Sequence, residues 1–317
     1  VKIMILTITM NPAIDKIYFV KNFQLGEVHR PVEMIASAGG KGLNVARVIH
    51  YLGEKVAASG FLGGGNGDFI SQKIKDLSID NRFVNIEQET RICINVTDSS
   101  NQLCTEVLEA GPCISQEEKD LFLKKYEAMI EDVELITISG SLPEGLPASF
   151  YYSMITVAHK RNKKVLLDTS GKAFLEGIKA KPFLVKPNMD EIKNVYNQPM
   201  NTEEDWCNAI HFLKEEGIEI PVISLGENGC IAGLKDGIYK VDIPPIQVIN
   251  TVGSGDSFIG GFAVGLVRNL NDCEILRLAS ATGSANTQFN QTGYVEQEVV
   301  NDFLSKITVR KMRKYSS

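Results

Sequence analysis

The sequence predicts an α/β fold: a central, mostly parallel sheet flanked by helices on both faces, with a small β-sheet lid. Three observations carry that reading. Short apolar runs alternate with amphipathic helical segments through most of the 317 residues. That is the pattern of strands buried on both faces and joined by crossover helices. Two stretches, about 14–36 and 91–109, break the alternation and read as antiparallel strands. Two glycine-rich segments, one in each half of the chain, each lead into an apolar helix.

The elements follow in order. Ile3 to Thr9 is a short apolar run that meets Asn11-Pro12 at once, with no small-residue cleavage site. It reads as a first buried strand and not as a secretory leader. After Gly39-Gly40-Lys41-Gly42-Leu43-Asn44, a helix carries Val45, Val48, Ile49 and Leu52 on one face and stops at Gly53. Arg91 to Thr97 and Leu103 to Leu108 flank the polar turn Asp98-Ser99-Ser100-Asn101-Gln102, a hairpin signal. A few strands detached from a parallel core need a covering partner, so they are expected to form a lid over a site. Ser115-Gln116-Glu117-Glu118 is a capping box that opens a helix. Val133 to Ile138, Val165 to Asp168, Phe183 to Lys186 and Val222 to Leu225 read as buried strands. Thr202 is placed to cap a helix that stops near Gly217. Pro245 to Ile249 looks like a strand, and Arg310 to Lys314 like the solvated end of a terminal helix. With no internal repeat and no low-complexity linker, residues 1–317 are expected to form one domain with the lid as an excursion.

Composition excludes several classes. Hydrophobic residues make up 44% and charged residues 23%, with a net charge of −6. No extended basic tract suits nucleic acid, and no apolar run approaches the ~18 residues of a membrane span. The six cysteines (93, 104, 113, 207, 230 and 273) form no CxxC, and there are four histidines. A structural zinc site is therefore not expected, and reduced thiols point to the cytoplasm.

The strongest chemical signal is Asn250-Thr251-Val252-Gly253-Ser254-Gly255-Asp256-Ser257-Phe258. Glycines at a helix start let backbone N–H groups approach an anion, and the helix dipole favours negative charge there. An aspartate at that point makes sense if it takes a proton from a nucleophile attacking the bound phosphate. The plain structural alternative is Asp256 as a helix cap. Gly39 to Asn44 is a second such start, now with Lys41, and suits an anionic group on a substrate. It is no Walker loop, because Ile35 replaces the first glycine and Gly42 follows Lys41. Gly63-Gly64-Gly65-Asn66-Gly67-Asp68 is expected to be a flexible turn. Lys186-Pro187-Asn188-Met189-Asp190-Glu191 ends a strand and starts a helix, where α/β sheets place ligands. Asn188 and Glu191 are candidates to hold a hydrated magnesium ion, or simply cap that helix. Ser224-Leu225-Gly226-Glu227-Asn228-Gly229 ends another strand, as a phosphate-side loop or a hairpin turn. Asp15, just past the first strand, is placed to bond sugar hydroxyls or to solvate a turn.

Taken together, in this order and spacing, these segments resemble the PfkB, or ribokinase-like, carbohydrate kinases over nearly the whole chain. Asn250 to Asp256 is similar to the family's C-terminal signature, Gly39 to Asn44 to its N-terminal one, and Asn188-Met189-Asp190-Glu191 to its NxxE element. Thr9 to Asp15, Gly40-Lys41-Gly42, Thr90-Arg91, Ser139 to Pro143 and Val185 to Asn188 resemble the branch with 1-phosphofructokinase and tagatose-6-phosphate kinase. The resemblance implies a ribokinase-like fold whose β-lid often clasps a second subunit, giving a homodimer. It implies Asp256 as general base, with Gly253, Ser254 and Gly255 as the anion hole. Asp15, Gly40 and Asn44 would hold the sugar, while Lys41 and Arg91 would bind its phosphate. Lys186, Asn188, Ser224, Gly226 and Gly229 would line the ATP site, with Asn286 near the adenine. Glu191 would organise Mg²⁺ through water. Asn250 departs from the aspartate many members carry, which puts a metal or monovalent-cation role there in doubt.

Charge agrees with a phosphorylated acceptor, since a neutral sugar needs no Lys41 and Arg91 beside it. Fructose 1-phosphate and tagatose 6-phosphate both remain open as substrates. Gln291 to Val295 resembles the tagatose-6-phosphate kinases slightly more. A non-catalytic sensor would lack the base or the glycine loop. A dinucleotide oxidoreductase would need a GxGxxG after the first strand, and a nucleoside kinase would not need Lys41.

Overall fold

The structure, a computed structural model, describes residues 4–101 and 103–315. Ile3 of the first predicted strand and Gln102 of the predicted turn lie outside them. Among the described residues the main sheet has eleven strands. Met4–Thr9 lies inside the sheet toward one end, parallel to Lys55–Gly63 on one side and to Leu135–Ser139 on the other. Parallel pairing continues through Lys164–Asp168, Leu184–Val185 and Ile220–Ser224. Asp80–Asn81 and Val84–Ile86 line the far edge of Lys55–Gly63. Cys230–Gly233, Gly237–Asp242 and Thr308–Lys314 extend the opposite end in antiparallel fashion.

Strand side chains alternate between two cores. Ile5 faces one core and Leu6 and Ile8 the other, and all three are fully buried. The first core is closed by helices Lys41–Tyr51, Gly64–Asp76, Ser254–Val267, Asp272–Asn286 and Gln297–Lys306. The second is closed by Gln116–Met129, Phe150–Lys160, Gly171–Gly177 and Glu203–Glu215. Burial on both faces is why the central strands read as continuous apolar runs. Ser115 and Thr202 cap their helices as expected, each in a reciprocal capping box. Gly217 then takes a φ of 93° just after the Glu203–Glu215 helix.

A separate four-stranded sheet holds Glu33–Gly39, Ala13–Val20, Arg91–Asp98 and Leu103–Leu108, in that order. The outer pairings are antiparallel, as expected, and reach slightly further, from Ala13 to Gly39. The central pairing, Ala13–Val20 with Arg91–Asp98, is parallel. Between Glu33–Gly39 and Arg91–Asp98 the chain runs through two helices and three strands of the main sheet.

Three local expectations are corrected. Pro245 to Ile249 forms no strand. Pro244 and Pro245 carry no N–H, and the adjacent edge is taken by Thr308–Lys314. The basic tail Arg310 to Lys314 is accordingly that edge strand and not a helix end. Its charges are managed by partners on neighbouring elements, with Arg310 on Asp242 at 3.2 Å and Lys311 on Asp236 at 2.5 Å. The Gly63 to Asp68 cluster is no flexible turn. Gly64 opens the Gly64–Asp76 helix, and the Asn66 amide N–H is bonded by the Glu89 carboxylate at 2.6 Å.

Helices Lys41–Tyr51 and Ser254–Val267 pack directly on each other at Gly260. A Cβ at Gly260 would stand 2.7 Å from Val48 Cγ1 and 3.4 Å from the Val45 carbonyl. Gly260→Ala is therefore expected to destabilise by about 1–3 kcal/mol through overpacking, read as a lowered Tm. It should also depress turnover, because the same two helices carry the residues described next.

Candidate active site

Each of the two glycine-rich segments begins a helix at the same place. Gly40 is the cap of Lys41–Tyr51 with a φ of 102°. Gly253 caps Ser254–Val267 with a φ of 83°. Those positive values suit glycine. Gly42 is glycine for another reason: a Cβ there would collide with the Ile8 carbonyl and the Thr9 hydroxyl. The helix can thus lie directly on the first strand.

One turn above the Gly260 contact, the two helices meet through polar groups. Asn44 Nδ2 donates to Asp256 Oδ2 at 2.7 Å. Asp256 is 5% exposed, and burial pushes its pKa from the ordinary 3.8 up to about 6. Lys41, the Asn44 bond and Lys186 oppose that rise, and Asp168 adds to it. Lys41 and Lys186 stand on either side of Asp168, at 3.7 Å from Oδ1 and 3.7 Å from Oδ2. Asp168 holds the Lys41 ammonium well above the usual lysine range, with smaller help from Asp256 and Glu191. A Cβ at Gly255 would lie 3.1 Å from the Lys186 ammonium. The first turn of the Ser254–Val267 helix therefore faces a buried cation.

Around Asp15, the small sheet sets the register. Ala13 is opposite Gly39 on one neighbour and Arg91 on the other. Asp15 packs so tightly on Gly39 that a Cβ would collide with its carboxylate, and the Gly40 N–H donates to it. Burial raises the Asp15 pKa, and Arg47 and Arg91 pull it back. Arg91 is tied by its guanidinium to the Asn11 carbonyl at 3.0 Å and the Glu109 carbonyl at 2.9 Å.

Asn188 and Ser224 form an isolated bridge at the ends of adjacent strands. Asn188 and Glu191 make the capping box of Met189–Ile192: Asn188 Oδ1 accepts from the Glu191 N–H at 2.8 Å, and Glu191 Oε2 accepts from the Asn188 N–H at 2.9 Å. Gly226 and Gly229, with φ of 60° and 76°, turn the hairpin between Ile220–Ser224 and Cys230–Gly233. Asn286 is buried and donates to the Gln291 and Tyr294 carbonyls at 3.3 and 3.1 Å. It braces the loop lying against Gly253. Asn250 donates to the Asn290 carbonyl at 3.1 Å. An ionised aspartate has no proton for that bond, so Asn250 serves a structural contact here.

A pfkB family carbohydrate kinase model matches residues 2–298. The chain belongs to that family. Its structure is similar to a candidate phosphofructokinase from Staphylococcus aureus, at 28% identity and TM-score 0.85, covering 98% of this chain and 100% of that one. Phosphofructokinase-2 from Escherichia coli, solved with potassium and also with substrates and products, is 25% identical with a TM-score of 0.88. Those alignments cover 96% of this chain and 98–99% of the other. A candidate 1-phosphofructokinase from Thermotoga maritima shares the fold at 24% identity and TM-score 0.87, over 98% of this chain and 100% of that one.

The chain is thus a sugar kinase by family, and such kinases use ATP, generally with Mg²⁺. The residues present fit that ion. Mg²⁺ takes few protein ligands and keeps several waters, and Glu191 has one oxygen, Oε1, outside its capping bond. Its charge also acts on Lys41. Among the described residues no cluster of three or more acidic, histidine or cysteine groups could hold a metal alone. No described helix is long and apolar enough to cross a membrane.

Sequence reading missed Asp168 and Arg47. Asp168 closes an otherwise apolar strand, Lys164–Asp168, and is 2% exposed with no hydrogen bond to either oxygen. A carboxylate at the C-terminal end of an apolar strand was the available signal. Asp256→Asn tests the site. Turnover should fall by roughly 10²–10⁴-fold. The wild-type carboxyl has a folded pKa of about 6 against 3.8, so its stabilising protonation is complete below 3.8 and lost as pH rises through 6. The asparagine variant should melt higher than wild type at pH 8, by on the order of 1–3 kcal/mol. That advantage should disappear toward pH 4.

Proposed function

We propose that this chain transfers the γ-phosphoryl group of ATP to a hydroxyl of a phosphorylated ketohexose, giving the bisphosphate. The observation that carries the reading is Asp256: a buried carboxylate, at the glycine-rich start of a helix, within the field of Lys41 and Lys186. In this mechanism Asp256 orients the acceptor hydroxyl and takes its proton. The N–H groups of Gly253, Ser254 and Gly255, with Lys186, stabilise charge on the transferring group. Mg²⁺, reached from Glu191 through water, neutralises charge on the nucleotide phosphates. Lys186, Asn188, Ser224, Gly226 and Gly229 line the ATP side. The exposed apolar side chains of Val248, Ile249 and Val252 offer the adenine a surface, with Asn286 beneath.

Asp15, Gly40 and Asn44 hold the sugar. Lys41, whose charge acts on Asp256, and Arg91, whose charge acts on Asp15, support a phosphorylated acceptor, because each could add a charge-assisted bond to a sugar phosphate. Fructose 1-phosphate and tagatose 6-phosphate are the leading acceptors. Escherichia coli phosphofructokinase-2 has been solved with fructose 6-phosphate, which makes that sugar the third to test. The small sheet acts as a lid. Val32, Met34, Leu103, Val107 and Leu108 are exposed on it at 50–66%, and a second copy of this chain would cover them.

ADP release should be strong with one of the three phosphorylated ketohexoses and weak with fructose. Lys41→Ala should raise the KM for that sugar phosphate by about 10–100-fold, the worth of a charge-assisted contact. Turnover of unphosphorylated fructose alone would overturn the reading of Lys41 and Arg91. For the lid, sedimentation should give a dimer that Val107→Asp dissociates; a wild-type monomer at micromolar concentration would remove that assignment.

A further inference from the structure

Arg47 lies one turn beyond Asn44 in the Lys41–Tyr51 helix and is 5% exposed. Nothing about packing calls for a guanidinium there. Burying it is costly, and an apolar side chain would fill the space at less expense. What it touches is specific. Its Nη2 donates to Asn44 Oδ1 at 2.5 Å and to the Thr292 carbonyl at 2.8 Å. Its Nη1 donates to the carbonyl of Ala38, on the lid strand Glu33–Gly39.

We propose that Arg47 is a positioning residue for Asp256, fixing the Asn44 amide in the one orientation that presents its N–H to the catalytic carboxylate. Arginine has donors and no acceptor, so it can bond only Asn44 Oδ1. That leaves Asn44 Nδ2 for Asp256, where the 2.7 Å bond is found. With the amide turned over, Nδ2 would face the guanidinium and Oδ1 the carboxylate, and both contacts would repel. The same guanidinium secures the loop at Thr292 and Gly293. That loop is wedged between the two helix starts: a Cβ on Gly293 would lie 2.9 Å from Asn44 Cα, and one on Gly253 would lie 2.5 Å from Thr292 Cγ2. Arg47 thereby joins the base, the anion hole and the end of a lid strand. The other charged groups acting on Asp256 are Lys41, Asp168 and Lys186; none of them bonds Asn44.

The inference rests on Asp256 being the base, and its test separates the two. Asn44→Ala, Arg47→Met and the double variant would be compared by kcat, by KM and by the pH profile of kcat/KM. If Arg47 acts through Asn44, each single variant lowers kcat on the order of 10–100-fold, and the double is no worse than Asn44→Ala. The acid limb of the Arg47→Met profile moves to higher pH, through the freed amide and through loss of a charge that acts on Asp256 directly; the Arg47→Lys profile, with the charge kept, isolates the amide's share and should also move to higher pH. Losses that multiply, or an acid limb that stays in place, would overturn the proposal. Arg47→Lys keeps the charge without the planar fork, should Arg47→Met fold poorly. The side-chain amide resonances of Asn44, titrated by NMR, give a readout that needs no turnover. In wild type they should follow Asp256 ionisation, and in Arg47→Lys that response should shrink. An unchanged response would reject the positioning role even if no sugar phosphate is turned over, an outcome that would separately reject the kinase reading of the site.

Discussion

Two helices can touch closely only where one of them has no side chain, and here that place is Gly260 against Val48. Gly260 lies four residues past Asp256, and Val48 four residues past Asn44. One helical turn separates the apolar contact from the polar one on both partners. The packing of the helix bodies thus sets the distance between the helix starts, and it brings Asn44 within 2.7 Å of Asp256. Gly42 extends the same logic downward, letting the helix lie on the backbone of the first strand. Two glycine-rich helix starts are brought together because three elements approach to backbone distance.

That proximity has an electrostatic consequence. Asp256 and Asp168 are both almost wholly buried, and burial of a carboxylate is unfavourable without partners. The two lysines near Asp168 stand at 3.7 Å, too far for hydrogen bonds of good geometry. Neither Asp168 oxygen has any other hydrogen bond. The protein therefore keeps the Asp168 carboxyl group loosely partnered between two lysines, instead of closing it into a tight pair. Such an arrangement sacrifices stability, and the proposed transfer, with two polyanions to receive and a proton to move, would account for it.

The sequence made the alternation of strands and helices legible, because strands buried on both faces leave uninterrupted apolar runs. It also exposed both helix starts, since glycine clusters before amphipathic periods have a backbone reason. Its failures were of one kind. Pro245 to Ile249 and the tail Arg310 to Lys314 each have strand or helix character that depends on who occupies a sheet edge, and local residues carry no record of that. Gly63 to Asp68 has turn composition, but Glu89 from a distant segment bonds the first turn of a helix there. Asp168 went unseen as a site residue because its meaning comes from Lys41 and Lys186, which the chain delivers from far away in both directions.

Arg47 shows the same limit more sharply. At helical spacing it sits among Val45, Val48 and Ile49, and sequence gives no reason to place a charge inside. Its partners, Ala38 and Thr292, lie on a strand of the small sheet and on a loop near the C-terminus. Arg91 behaves alike, with its guanidinium on the carbonyls of Asn11 and Glu109. Backbone carbonyls do not neutralise a guanidinium; they only orient it. The two arginines can therefore join the small sheet to the main body and still lend positive potential to Asp15 between them. On the proposed reading, holding a substrate anion and holding this half of the site in place draw on the same charges, so here substrate choice and structural integrity are hardest to separate.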